Sequence, residues 1–162
     1  MLKRTATLVF LVSVAGCSTI PVSNPGFSGL ERPRQGEGLV YLYRPRNFTA
    51  GGVRYNLDFG QGAIATLPNC SFTFVRLKPG SYSLSATPRP SFSQSPRAVQ
   101  FTVESGQTQF YLLDIDGSVS IIPLPTPVGI STIRMGWRNT TESDAIKYMS
   151  GCYLVSASGM QG

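Results

Sequence analysis

The stretch Val53-Arg54-Tyr55-Asn56-Leu57-Asp58-Phe59 alternates apolar and polar side chains without a slip. Successive side chains of an extended strand point to opposite faces, so Val53, Tyr55, Leu57 and Phe59 fall on one side and Arg54, Asn56 and Asp58 on the other. The register is strongly specified, because moving the chain by one residue would expose the whole apolar set. The same period recurs downstream. Tyr82, Leu84 and Ala86 alternate with Ser81, Ser83, Ser85 and Thr87, and Val99, Phe101 and Val103 alternate with Gln100, Thr102 and Glu104. Gly38 to Arg44, Ala63 to Leu67, Ser71 to Lys78, Thr108 to Ile115 and Ser118 to Leu124 complete a set of about eight strands.

The breaks carry turn chemistry. Gly60-Gln61-Gly62, Pro68-Asn69, Pro79-Gly80, Ser105-Gly106 and Asp116-Gly117 each supply a fixed φ or a φ above zero. Successive strands are therefore expected to be antiparallel neighbours. Seven to eight short strands with regular reversals point to an antiparallel β-sandwich or small barrel, with the sandwich favoured. The stretch Pro88 to Pro96 reads as a long polar crossover carrying Phe92, and Ile130 to Trp137 as one further extended segment. Thr141-Glu142-Ser143-Asp144 has the form of a capping box. It predicts one short C-terminal helix from Glu142 to about Ser150, with Ala145, Ile146 and Met149 on its buried face.

Composition narrows the chemistry. The chain has 162 residues, enough for one domain with a sizeable core, and contains no histidine. That removes the commonest general base, the commonest zinc ligand and every Ser-His or Cys-His couple. A nucleophilic Ser would need a Lys partner, yet neither Lys78 nor Lys147 sits in an S-x-x-K pattern. Asp114-Ile115-Asp116-Gly117 opens like a calcium loop but lacks the later oxygen ligands, and the same letters read as an Asp-Gly turn. The glycines form only G-x-G fragments. No enzyme activity, metal or cofactor is expected.

The first residues read as an address. Lys3 and Arg4 precede an apolar run from Ala6 to Ser13, followed by Val14-Ala15-Gly16-Cys17. A basic start, an apolar stretch of about ten residues and a small-residue cleavage site make a secretory signal, too short for a span that needs roughly 20 residues. The tetrapeptide resembles the bacterial lipobox, which implies cleavage before Cys17 and acylation (diacylglycerol, palmitate) of its thiol. Ser18 in the next position resembles the outer-membrane rather than the inner-membrane sorting pattern. The expected organisation is a signal peptide over 1–16, a lipidated, flexible tether over 17–37, a β-sandwich over 38–124 and an extension with a short helix over 125–162. Cleavage would leave twelve basic and eight acidic residues, a charge of +4 without a basic run, so nucleic acid is not an expected partner. The N-x-S/T sequons at Asn47, Asn69 and Asn139 carry no meaning in a bacterial protein.

Gly38-Leu39-Val40-Tyr41-Leu42-Tyr43-Arg44-Pro45, Gly51-Gly52, Ile64-Ala65-Thr66-Leu67-Pro68-Asn69, Leu77-Lys78-Pro79-Gly80-Ser81-Tyr82 and the hairpin from Phe101 to Phe110 together resemble an uncharacterised family of bacterial lipoproteins. The resemblance covers roughly residues 38 to 115. It implies a transthyretin-like (prealbumin-like) β-sandwich and an envelope location, and brings no activity with it. Cys70 departs from the family's usual turn residue, and the chain after Leu124 is not matched.

Two kinds of site remain. Export to an oxidising compartment makes Cys70 and Cys152 a natural disulfide pair, the other reading being two free thiols. Arg44, Arg46 and Phe48 end the first strand in a loop suited to meeting a phosphate, a sugar or a partner, with Phe92 on the crossover as a second candidate; solvated edge charges are the plainer reading. The expected function is a non-catalytic, lipid-anchored binding or accessory subunit facing the periplasm, with an envelope protein as partner. The alternative is a glycan-binding module for peptidoglycan or lipopolysaccharide. The second predicts Arg44, Arg46 and aromatic rings in one cleft, and the first an apolar patch or an open sheet edge.

Overall fold

A computed structural model describes residues 25–48, 50–90, 97–122 and 128–158 and is an all-β sandwich with one short helix. Its elements are β1 (Gly38–Arg44), β2 (Arg54–Asp58), β3 (Ala63–Leu67), β4 (Ser71–Leu77), β5 (Gly80–Arg89), β6 (Arg97–Val103), β7 (Thr108–Ile122), β8 (Val128–Asn139), α1 (Glu142–Met149) and β9 (Tyr153–Leu154). One sheet has the order β8-β7-β1-β4-β9 and the other β3-β2-β5-β6.

The expected chain of antiparallel neighbours holds only for β2–β3, β5–β6 and β7–β8. From β1 to β2, β3 to β4, β4 to β5 and β6 to β7 the chain changes sheet, and β1–β7 and β4–β9 are parallel pairs. The Asp116-Gly117 reversal is corrected as well. Asp116 faces Arg134 and Gly117 faces Ile133 inside one continuous β7–β8 ladder that closes at Ile122 and Val128, so two expected strands are one. The expected crossover begins late, because Pro88 and Arg89 pair with Tyr55 and Arg54. Phe92 lies outside the described residues.

The alternation of β2 does what the sequence requires. Tyr55 and Leu57 enter a core between the sheets with Val40, Leu42, Val75, Leu77, Leu84, Leu113 and Ile115, among others. A second apolar cluster covers the other face of the five-stranded sheet. Leu39, Tyr41 and Tyr43 from β1 meet Phe72, Phe110, Leu112, Ala145, Met149 and the two cysteines, with Phe27 and Leu30 packed against them. Every residue of β1 is buried in consequence, the condition of a strand covered on both faces.

Two parts of the expected organisation change with this second cluster. Residues 25–37, expected to be flexible tether, lie along that face: Leu154 N–H donates to Pro25 O (2.8 Å), Gly26 bridges to Tyr153, and Glu31 N–H donates to the Tyr41 hydroxyl (2.7 Å). Residues 128–154, set apart as an extension, supply β8, α1 and β9 to the same structure. The helix has the expected cap. Thr141 Oγ1 accepts from Asp144 N–H at 3.2 Å, and Ala145 and Met149 are buried, while Ile146 is only half-buried.

Cys70 and Cys152 form a disulfide, their Cα atoms 4.7 Å apart. It joins the turn before β4 to the turn after α1, one residue from β9.

Candidate functional site

Arg44 ends β1 on the same face as Val40 and Leu42, and alternation sends its side chain between the sheets. It is 1% exposed. The guanidinium lies 5.0 Å over the Tyr55 ring and donates to Val53 O through Nη1 and to Ala50 O through Nη2 (2.7 Å). Its Nε is buried without a partner. Burial pulls the guanidinium below its ordinary value, while the charges of Tyr55 and Tyr153 pull the other way. Arg44 is therefore not part of a surface.

What Arg44 does instead is hold the loop that follows it. Both its carbonyl acceptors are at the far end of residues 45–53. Asn47 secures the middle: its N–H donates to Asn69 Oδ1 (2.9 Å), its Nδ2 to Ile115 O (2.8 Å), and Asn69 Nδ2 donates to Asn47 O (2.9 Å). Gly51 N–H and Val53 N–H turn back onto Phe48 O and Ala50 O. Ala50 takes a φ of 57°, a left-handed geometry uncommon for a residue with a Cβ. On this anchored loop Arg46 is exposed and Phe48 projects with 102% of its surface free. The structure thus separates the residues read together from the sequence: Arg44 turns inward, and Arg46 and Phe48 turn outward.

A second feature lies along β4 and carried no sequence signal. Tyr153 N–H donates to Cys70 O, and Val155 N–H donates to Phe72 O, after which the chain leaves β4 to reach β3, where Ser158 N–H donates to Ile64 O. Alternation directs the main-chain groups of Phe74 and Arg76 to the same edge as those of Cys70 and Phe72. Beside them opens a cleft of about 240 Å³ lined by Arg34, Glu37, Thr73, Arg76, Val155 and Ser156, among others. Thr73 is 0% exposed, and its Oγ1, with Glu37 Oε2 and Arg76 Nε, is buried without a hydrogen-bond partner. Arg76 is held over this edge by Glu31 (3.0 Å) and lies 5.2 Å over the Phe74 ring.

The β3 edge receives Ser158 at Ile64, and β6 and β8 lie against each other across the two sheets. Among the described residues no helix is long and apolar enough to cross a membrane, and Phe48 and Tyr148 are exposed large hydrophobics. No protein-family model, curated protein or solved structure matches this chain.

Proposed function

We propose that the protein is a lipid-anchored envelope lipoprotein, held through Cys17 to the outer membrane and facing the periplasm, that works as a non-catalytic binding subunit. The N-terminal pattern from Lys3 to Cys17 supports the anchor, and the transthyretin-like resemblance of residues 38 to 115 agrees with it. The observation that carries the binding reading is the β4 edge. It offers the main-chain groups of Phe74 and Arg76 beside Thr73 Oγ1, Glu37 Oε2 and Arg76 Nε, three atoms that are desolvated but unpaired, a state that costs about 1–3 kcal/mol per group until a partner arrives. Its volume lies below the roughly 300–1,000 Å³ of small-molecule pockets, which favours an extended peptide segment adding to the sheet.

The partner is thus an envelope protein that contributes a strand. A glycan module built on Arg44 and Arg46 is the weaker reading, because Arg44 is buried. A photo-crosslinking side chain placed at Ser156, with a control at Ser83 on the opposite sheet, tests the proposal in intact cells. Crosslinking of one protein from Ser156 alone, through an extended segment and weakened by Arg76→Glu, is the expected result. The same set of proteins at both positions, or recovery of glycan instead, would overturn it.

A further inference from the structure

We infer that the end of the sandwich bearing Phe48 and Tyr148 is the face that lies on the bilayer, its aromatic rings at the level of the headgroups. The inference rests on the reading of Cys17 as the lipid anchor. Eight Cα-to-Cα steps join Cys17 to Pro25, a reach of at most about 28 Å. The described chain starts at a fixed place, because Pro25 O is bonded to Leu154 N–H and Gly26 to Tyr153. The anchored body is thereby held with β9 close to the membrane.

The neighbours of that point are the exposed aromatics. Tyr153 N–H is bonded to Cys70 O, and Asn69, the preceding residue, holds Asn47 of the Phe48 loop. Cys152 follows α1, whose last turn carries Lys147 and Tyr148, and Tyr148 stacks on Tyr43 near the same end of β1. Phe48 and Tyr148, the latter 40% exposed, are exposed large hydrophobics, and both lie at this end. Arg46 and Lys147 stand beside them; of the acids, Glu142 and Asp144 are in the first turn of α1, with Asp144 near enough to act on Tyr43, and Asp114 and Asp116 flank the Ile115 carbonyl that holds Asn47. Aromatic rings with flanking cations are a side-chain set that settles at an anionic bilayer interface. The anchored loop also explains why a ring is kept fully in water. Arg44 and Asn47 hold Phe48 out, although folding it back would have hidden apolar surface.

Acyl chains hold the protein, and this face orients it, presenting the opposite end, with the Ser105-Gly106 turn, to the periplasm. The test uses the lipidated protein in phosphatidylethanolamine–phosphatidylglycerol vesicles with brominated acyl chains. Single Trp reporters are placed by Phe48→Trp, Tyr148→Trp and Ser105→Trp, and the emission of Trp137 is subtracted with the unsubstituted protein. Emission from positions 48 and 148 is expected to shift to shorter wavelength and to be quenched by the bromolipid, with position 105 unaffected. Equal quenching at all three, or none while the protein floats with the vesicles, would overturn the orientation alone. A protein that does not float would overturn the anchor reading, and the orientation with it.

Discussion

A buried arginine without a carboxylate is the residue on which the loop after β1 depends. Its fork satisfies Val53 O and Ala50 O, so Arg44→Ala takes the guanidinium donor from the buried Val53 O, at about 1–3 kcal/mol, and leaves Ala50 O with the Val53 N–H alone. Urea unfolding of Arg44→Ala should show a large loss of stability. Arg44→Met should lose less, because it keeps the stem and removes a charge that burial disfavours. Gly38 makes a different point. A Cβ there would sit 2.3 Å from Val103 Cγ1 and 2.7 Å from Glu104 O, so Gly38→Ala should cost about 1–3 kcal/mol in the same assay through crowding. The inward turn of Arg44 was legible in principle, since it continues the Val40 and Leu42 face. Its charge made a surface position the easier reading.

At the scale of elements, legibility follows alternation. β2 could be read because one face is covered and the other wet. β1 is covered on both faces, so Leu39 to Tyr43 runs apolar without alternation and reveals nothing of the α1 and residue 25–37 layer above it. Asp116-Gly117 looked like a reversal, but local turn preference yields to a ladder of twelve register pairs. β9 has two residues and no pattern, and the cleft exists only because the chain leaves β4 after it. The helix is better specified: Thr141→Ala removes the acceptor for Asp144 N–H and should cost about 1 kcal/mol in thermal or urea unfolding. Reduction of Cys70–Cys152, which closes a separation of 82 residues, should cost about 4 kcal/mol on the chain-entropy account. Unfolding with and without reductant measures that difference.

The molecule as a whole should be sensitive to alkali. Burial raises Tyr41, Tyr43 and Tyr55 above the ordinary tyrosine value; the strongest opposing influences are the Glu31 N–H, the Thr140 hydroxyl and the Arg44 charge, respectively. A group whose folded value is raised stabilises fully below its unfolded value and loses that contribution as pH climbs through the folded one. Stability should therefore hold to about pH 10 and fall beyond it. Arg44 acts in the opposite sense, since its lowered value counts against the fold while it is charged. Denaturant midpoints taken across the alkaline range would show the decline, and Tyr43→Phe should make it shallower.

The contact of Pro25 and Gly26 with β9 also has a mechanical meaning. A pull on the N-terminal chain enters at Tyr153 and Leu154, beside the covalent bond from Cys152 to Cys70, and passes through it to β4 and then to β1 at the centre of the five-stranded sheet. With the disulfide intact, tension is delivered to the best-buried strand rather than spent in stripping a two-residue edge. Single-molecule pulling from the N-terminus should record a lower first rupture force once the bond is reduced, with β9 and the helix peeling away before the sandwich opens.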